Sequence, residues 1–168
     1  MKNVYIVGFM GTGKTVVGKL LAQRFSKEFV EMDQMIEAKE GMSIVDIFAE
    51  KGESYFRRLE TEVLKEISLK QGSIVSCGGG LVCNEENLTL LKKAGVVFCL
   101  KASSATIYQR IKKHGHRPLL NVEDPLKKIE ELLAKRACYY NKADYSIDTE
   151  GIEPPEVVSR IATILSNG

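Results

Sequence analysis

The chain has 168 residues, of which 44% are apolar and 27% are charged. This length and balance are typical of one soluble globular domain with a sizeable core, and they exclude a disordered or low-complexity chain. The 24 Lys and Arg residues outnumber the 22 Asp and Glu residues by only two, which argues against nucleic-acid binding through overall charge.

The amino-terminal segment predicts a buried strand, a glycine loop and a helix in succession. Residues 3–7 form an apolar run, residues 8–15 match the pattern G-x-x-x-x-G-K-[ST], and residues 16–25 have the periodicity of an amphipathic helix. The first strand begins by residue 3, and no apolar run approaches the ~20 residues of a membrane span. We therefore expect no signal peptide, no membrane anchor and a cytoplasmic location.

The loop at residues 8–15 has the residue types needed to hold a nucleotide polyphosphate. Glycines let the backbone turn so that its N–H groups point at phosphate oxygens, and the start of the next helix adds a favourable dipole. A lysine here reaches the β- and γ-phosphates, and a threonine hydroxyl is a ligand for Mg²⁺. The predicted nucleotide-binding residues are Gly11, Thr12, Gly13, Lys14 and Thr15, of which Lys14 is also predicted to be catalytic.

The second apolar run, residues 28–32, predicts a strand that ends beside an acidic pair. Glu31 and Asp33 are two residues apart, so we expect both to project from the strand end toward the loop. One carboxylate then serves the metal, for which Glu31 is the candidate. Asp33 is the candidate to orient an acceptor hydroxyl and accept its proton. Alternatively, Asp33 caps a helix that starts near Gln34.

The helix predicted over residues 53–69 carries two adjacent arginines. Arg57 lies at the border of its apolar face, together with Glu60, whereas Arg58 lies on the opposite side. We therefore expect Arg57 to be partly buried. The strand predicted at residues 73–77 leads directly into a glycine triplet, whose missing side chains let a ligand approach the backbone. The triplet consists of Gly78, Gly79 and Gly80.

A basic segment follows the strand predicted at residues 96–100 and the helix after it. Glycine and proline break the periodicity over residues 112–118, which predicts a mobile lid at about residues 112–124. Arg117 is expected to close over the γ-phosphate and to neutralise charge in the transition state. The alternative is that Arg117 is a solvated loop charge. The two histidines of this segment receive no role.

The helix predicted over residues 126–140 places Arg136 inside its apolar sector. The other members of that sector are Ile129, Leu133, Ala137 and Tyr140. A buried guanidinium needs an anionic partner. Either Arg57 pairs with Glu60 and Arg136 with a core carboxylate such as Asp33, or the two arginines and the glycine triplet form a pocket for an anionic small molecule.

The last predicted strand covers residues 144–148, which brings the total to five strands alternating with helices. This order predicts one α/β domain over residues 1–168, a three-layer doubly wound sandwich with a five-stranded parallel sheet. We expect a monomer, because no feature of the sequence demands a dimer. The four cysteines lack metal-binding spacing, so we expect reduced, buried thiols. They are Cys77, Cys83, Cys99 and Cys138.

Two other classes of nucleotide-binding protein fit the chain poorly. Residues 141–144 spell N-K-A-D, the guanine-binding pattern of regulatory GTPases, but they precede the last strand, and the D-x-x-G at residues 148–151 follows in the wrong order. A motor-type ATPase needs an acidic residue at the end of the strand beside the loop strand. Here Ser76 and Cys77 lead into glycines instead.

Taken together, these motifs resemble those of the shikimate kinase family, a group of small P-loop kinases, over essentially the whole chain. The matching segments are residues 8–15, 29–33, 52–60, 76–80, 117–120 and 134–137. The resemblance implies a P-loop NTPase fold and ATP-dependent phosphorylation of the 3-hydroxyl of shikimate, with Mg²⁺ as cofactor. That reaction is a step toward chorismate and the aromatic amino acids.

The resemblance also implies a role for each matching residue. Arg57 and Arg136 would bind the substrate carboxylate, Asp33 its hydroxyls, and the glycine triplet would line the substrate site. Arg117 would be the lid arginine on the phosphates, and Arg110 would stack near the adenine.

One residue departs from the family pattern. Glu31 stands where family members usually carry aspartate, so its longer side chain acts on Mg²⁺ either directly or through a bridging water. A kinase for gluconate or for a nucleoside monophosphate shares the loop and the lid, and it remains the main alternative.

Overall fold

A computed structural model describes residues 2–113 and 122–167, so Arg117 and most of the predicted lid lie outside the described residues. The strands are β1 (Asn3–Gly8), β2 (Phe29–Glu31), β3 (Ile74–Ser76), β4 (Gly95–Lys101) and β5 (Tyr145–Asp148). The helices are α1 (Lys14–Phe25), α2 (Met32–Glu40), α3 (Ile44–Lys51), α4 (Glu53–Ser68), α5 (Glu85–Ala94), α6 (Ser104–Lys113), α7 (Pro125–Tyr140) and α8 (Pro154–Ser166). In this described part, no helix has the length and hydropathy to cross a membrane.

The strands form one parallel sheet in the order β2-β3-β1-β4-β5, which confirms the predicted α/β fold. β1 lies at the centre, is buried along its whole length, and pairs with β3 on one side and β4 on the other. The chain first builds the β2 and β3 side of the sheet and then crosses to the β4 and β5 side. The loop after β1 therefore lies where the strand order reverses, which is where α/β proteins bind ligands.

Alternate residues of β1 face opposite helical layers, as the two-residue repeat of a strand requires. Val4 and Ile6 pack in one core cluster with residues of α1 and α8. Tyr5 and Val7 pack in a second cluster with residues of α2 to α7. The predicted three-layer sandwich is confirmed, and both layers hold the strand from which the phosphate loop starts.

Side-chain caps mark the starts of two helices. Asn84 accepts a hydrogen bond from the N–H of Glu86 at 2.8 Å at the start of α5. Asp124 accepts one from the N–H of Lys127 at 3.0 Å at the start of α7, directly before Pro125. A cap of this kind contributes about 1 kcal/mol. It defines the first turn of the helix that carries Arg136.

The boundary between β2 and α2 differs from the prediction. β2 ends at Glu31 and α2 begins at Met32, two residues before the expected start near Gln34. Asp33 therefore lies in the first turn of a helix, so strand alternation does not set its direction, but Glu31 and Asp33 both line the crevice beside the loop as expected. The physical reason is that the chain turns helical immediately after Glu31, with the Met32 side chain fully buried.

The four cysteines are free thiols, as predicted, but they are not all buried. Cys77 and Cys99 are buried in the core, and Cys83 is half-buried. Cys138 is exposed, so the expectation of a buried thiol is wrong for this residue. It lies on the solvent side of α7.

Candidate active site

The loop between β1 and α1 has backbone geometry that glycine adopts readily. Gly11 and Gly13 have φ angles of 78° and 95°, in the left-handed region. Gly13 precedes α1 and provides no side-chain cap, so the first N–H groups of the helix face the cleft, where the helix dipole favours an anion. The buried Thr12 hydroxyl donates to the carbonyl oxygen of Phe9 at 2.7 Å and holds the loop from within.

Lys14 and Thr15, the first residues of α1, direct their polar groups to different partners. Nζ of Lys14 donates to the carbonyl oxygens of Gly8 and Phe9 at 2.9 and 3.0 Å. Oγ1 of Thr15 donates to Oε2 of Glu31 at 2.7 Å. A hydroxyl and a carboxylate are the oxygen donors that Mg²⁺ prefers, and their contact fits an ion that also keeps water and phosphate ligands.

A cleft of about 1260 Å³ begins at this loop and extends to α7. Its volume exceeds the roughly 300–1,000 Å³ of a typical site for one small molecule. Every predicted site residue that the structure describes lines it: Gly11, Thr12, Gly13, Lys14, Thr15, Glu31, Asp33, Arg57, Gly78, Gly79, Gly80, Arg110 and Arg136. The cleft therefore has room for a nucleotide at the loop and for a second small molecule beyond it.

Arg57 is half-buried at the far end of the cleft, as predicted, and Arg58 is exposed. The guanidinium of Arg57 contacts Oε2 of Glu60 at 2.6 Å and Oε1 of Glu53 at 3.1 Å. The pairing of Arg57 with Glu60, which was part of one of the two alternatives, is therefore present. Because the guanidinium also lines the cleft, this pairing fixes its position without removing it from a ligand's reach.

The two members of this pair respond to burial in opposite ways. Burial raises the pKa of the Glu60 carboxyl, whose residue is 1% exposed, although Arg57 opposes the shift. Burial works against the charge on Arg57, but the two glutamates outweigh it and the net effect is a raised pKa. We treat the pair as ionised, because a guanidinium stays protonated and the 2.6 Å contact favours a carboxylate.

The glycine triplet after β3 lies against the charged side chains of the cleft. A Cβ atom at position 78 would lie 2.7 Å from Oε1 of Glu60 and 3.3 Å from Oδ1 of Asp33. A Cβ atom at position 80 would lie 2.5 Å from Nη1 of Arg57, and one at position 79 would lie 3.4 Å from Nη1 of Arg136. The triplet thus lets four ionisable side chains gather around one stretch of backbone.

Arg136 extends from α7 toward this triplet. Its guanidinium lies 5.5 Å from the centre of the Phe9 ring, and the side chain is only half-buried. The hydroxyl of Tyr140 donates to the carbonyl oxygen of Gly79 at 2.7 Å, and burial raises the pKa of Tyr140 to about 12, so it remains a donor. The prediction that Ala137 belongs to the buried apolar sector of α7 is wrong. Ala137 is exposed, because the face that packs on the cleft is rotated toward Arg136.

Arg110 ties the phosphate loop to the segment after β5. It donates to the carbonyl oxygen of Gly11 at 3.3 Å, to the hydroxyl of Thr149 at 3.0 Å and to the carbonyl oxygen of Thr149 at 2.9 Å. Thr149 is buried, and Pro154 completes this wall of the cleft. The side chain therefore lies beside the loop, where the base of a nucleotide held by its phosphates would extend.

Glu150 fastens the same segment to the start of α6. Its carboxylate accepts hydrogen bonds from the N–H of Ser103 at 3.0 Å and from the hydroxyl of Thr106. These contacts lower the pKa of Glu150, the Ser103 N–H most strongly. Since α6 also carries Arg110, Glu150 holds two elements of this wall together.

We expect Glu150→Gln to lower the melting temperature at pH 7 and to lose this effect in acid. A carboxylate with a lowered pKa stabilises the fold above its unfolded-state pKa, and that stability is lost as the pH falls through the folded-state value. The difference in melting temperature between wild type and variant should therefore become smaller as the pH is lowered below about 4.5. Thermal unfolding between pH 7 and 3 measures it, with exposed Glu131→Gln as control. A difference that does not change with pH would contradict the assignment.

Sequence reasoning missed several residues of the cleft. Phe48 of α3 lines it beside Phe56, with ring centroids 4.7 Å apart, and α3 was not among the predicted elements. Glu60 was expected only as a partner of Arg57, yet it contacts the glycine triplet as well. Ser76 received no role. Two signals in the sequence point to these residues: a short helical repeat around Phe48, and the position of the acid Glu60 at the border of an apolar helix face.

The fold and the cleft define a P-loop kinase. Its phosphate loop lies at the point of strand reversal, and the cleft continues from the loop into a region lined by arginines and acids. A sequence profile described as shikimate kinase matches residues 10–166. The shikimate kinase of Thermodesulfovibrio yellowstonii is 50% identical to this chain, over 100% of the chain and 99% of that protein. The chain belongs to the shikimate kinase family.

Solved structures agree with this membership. The chain resembles the shikimate kinase of Acinetobacter baumannii in complex with shikimate, with a TM-score of 0.93 and 38% identity over 99% of this chain and 94% of that one. The chain also resembles the shikimate kinase of Aquifex aeolicus, with a TM-score of 0.87 and 39% identity over 98% of this chain and 96% of that one. A deoxyadenosine kinase of M. mycoides with bound dATP has a TM-score of 0.63 and 17% identity, over 99% of this chain and 100% of that one. This likeness shows a shared fold alone.

Proposed function

We propose that this protein transfers the γ-phosphoryl group of ATP to the 3-hydroxyl of shikimate, giving shikimate 3-phosphate and ADP. The reaction is a step in the synthesis of chorismate and the aromatic amino acids. The observation that carries the proposal is one cleft that joins a phosphate loop to two arginines gathered around a glycine triplet. Membership of a family of kinases supports it independently.

At the nucleotide end, the loop residues Gly11, Thr12 and Gly13 present backbone N–H groups to the phosphates, and Lys14 neutralises charge on the β- and γ-phosphates. Arg110 lies against the adenine. Thr15 and Glu31 hold Mg²⁺, and the contact between their oxygens supports this assignment. Mg²⁺ held there would supply positive charge to offset the negative charge that develops on the phosphates.

At the acceptor end, Arg57 and Arg136 bind the shikimate carboxylate, because guanidinium groups pair with carboxylates in two parallel hydrogen bonds. Gly78, Gly79 and Gly80 line the pocket. Asp33 orients the 3-hydroxyl and accepts its proton as the phosphoryl group is transferred. The position of Asp33 against the triplet, in the lining of the same cleft as Lys14, supports this role.

Three further parts of the proposal concern features beyond the described cleft. Arg117, which lies outside the described residues, stabilises the transferring phosphoryl group from the lid. The protein acts as a monomer. It works in the cytoplasm, where ATP is available, without nucleic-acid or membrane partners.

The proposal is tested by a coupled assay of ADP release from MgATP over a panel of acceptors. We expect release with shikimate and only background release with gluconate, nucleoside monophosphates or no acceptor. Both ATP and acceptor should show saturation. Preferential release with gluconate or with a nucleotide would overturn the assignment.

We expect Gly78→Ala to damage the acceptor pocket while leaving the nucleotide end intact. A Cβ atom 2.7 Å from Oε1 of Glu60 is too close, and Glu60 is buried, so it cannot move away without disturbing Arg57. The kcat/KM for shikimate should fall about tenfold or more, since a misplaced positioning group has effects of that order. The affinity for ADP, measured by calorimetry, should not change. A loss of ADP affinity with normal shikimate kinetics would contradict this account of Gly78.

A further inference from the structure

Ser76 is a buried polar residue that none of the roles above uses. It is the last residue of β3, its side chain is 0% exposed, and its Oγ has no hydrogen-bond partner among the described residues. Leaving a buried hydroxyl unpaired costs about 1–3 kcal/mol. An alanine would avoid that cost, so the hydroxyl at this position calls for a partner that binds there.

The register of the sheet fixes where this hydroxyl lies. Ile74 packs in the core cluster that contains residues of α1, and Ser76, two residues on, faces the same way. Ser76 is paired in register with Glu31 of β2, whose carboxylate already contacts Thr15 at the start of α1. Adjacent strands lie about 4.8 Å apart, so the Ser76 hydroxyl lies on the α1 face directly beside the Glu31 side chain. It also lines the cleft.

The position of β3 gives this placement a chemical meaning. β3 pairs with β1, the strand that leads into the phosphate loop. In P-loop proteins an acidic residue of such a strand serves the nucleotide-bound metal. In this chain the acid lies one strand farther away, at Glu31, and a serine ends the adjacent strand. A hydroxyl there is too short and too weak a ligand to replace the carboxylate, but it can bind a water molecule held by the ion.

We propose that Ser76 is a third residue of the magnesium site and positions the ion by a hydrogen bond between its hydroxyl and a metal-bound water. Mg²⁺ usually keeps several of its waters when it binds to nucleotides, so a site built from one hydroxyl and one carboxylate leaves waters that need partners. Ser76 is therefore a positioning residue. This inference rests on the proposed use of MgATP.

The experiment measures ADP binding by calorimetry with and without Mg²⁺, for wild type, Ser76→Ala and Ser76→Thr. We expect Mg²⁺ to tighten ADP binding in the wild type. In Ser76→Ala the tightening should be about fivefold smaller, as one lost hydrogen bond predicts, while the metal-free Kd is unchanged. Ser76→Thr keeps the hydroxyl and should restore most of the tightening. The alanine variant should unfold at the same temperature as the wild type or higher, because it removes an unpaired buried group.

Ser73→Ala is the matched control, because Ser73 is buried just before β3 and contacts Glu28 at the opposite end of the strand. It should leave the effect of Mg²⁺ unchanged. If Mg²⁺ tightens ADP binding equally in the wild type and in Ser76→Ala, the inference about Ser76 is overturned and the proposed reaction is left intact. A wild type whose ADP affinity does not depend on Mg²⁺ would instead overturn the metal role of the whole site. A lower melting temperature for Ser76→Ala, with normal tightening, would show a purely structural role.

Discussion

Lys14→Ala is expected to lower kcat by about 10²- to 10³-fold, the loss seen when one group that stabilises transition-state charge is removed. Lys14 is the first residue of α1, and its Nζ lies within the phosphate loop, on the carbonyl oxygens of Gly8 and Phe9. It therefore needs only a small rearrangement to reach a γ-phosphate. The coupled ADP assay at saturating ATP and shikimate measures the effect.

The matched control for this variant is Lys19→Ala. Lys19 lies on the same helix but is exposed, with its Nζ 6.0 Å from the ring of Phe29. It should retain wild-type kcat, which separates loss of the specific charge from loss of any positive charge on α1. A normal kcat for Lys14→Ala would remove Lys14 from the catalytic machinery.

Arg136→Ala is expected to raise the KM for shikimate about 10- to 100-fold, with a much smaller change in the KM for ATP. The size follows from the loss of a charge-assisted hydrogen bond to a carboxylate, about 1.5–3 kcal/mol. Arg136 is half-buried over Phe9 and faces Gly79, so its removal also leaves the ligand carboxylate beside an apolar ring. Initial-rate kinetics in both substrates measure the two KM values.

A shikimate analogue with a hydroxymethyl group in place of the carboxylate sharpens this test. The wild type should discriminate strongly against the analogue, whereas Arg136→Ala should lose most of that discrimination because the responsible charge is gone. Exposed Lys127→Ala, on the same helix, is the control and should behave as the wild type. Unaltered shikimate kinetics in Arg136→Ala would exclude Arg136 from the acceptor site.

The sequence predicts the five strands and the phosphate loop well because their signals are local. The inner strands β1, β3 and β4 are buried on both faces, so they read as continuous apolar runs between helical stretches. Asn84 and Asp124 mark their helix starts by capping chemistry that depends only on neighbouring residues. These features require no knowledge of which segments meet in space.

Features that depend on tertiary packing are predicted less well. The chain turns from strand to helix directly after Glu31, without a glycine or proline to signal it, so the predicted helix start near Gln34 is two residues too late. α3 is only eight residues long, and its boundary with α2 depends on the positive φ of Gly41. Helical periodicity also misjudged the face of α7, because packing on the cleft rotates Ala137 to the solvent.

In the candidate site, too, local features are predicted well and features that depend on tertiary packing are not. The sequence predicts which residue types are present, and every described one lines the cleft. The packing of Glu60 against Gly78, and of Arg57 against Gly80, could not be predicted, because these contacts join α4 to the segment after β3, which is distant in sequence. The catalytic and binding roles of these residues stay predictions until the variants are measured.

The most direct test of the central claim, that the cleft brings the γ-phosphate of ATP to one hydroxyl of shikimate, is the structure of the product. Purified protein incubated with MgATP and shikimate should yield one organic phosphate whose phosphorus correlates with the proton on C3 in a two-dimensional ¹H–³¹P spectrum. ADP should form in equal amount. Phosphate on another hydroxyl, or inorganic phosphate as the main product, would contradict the account.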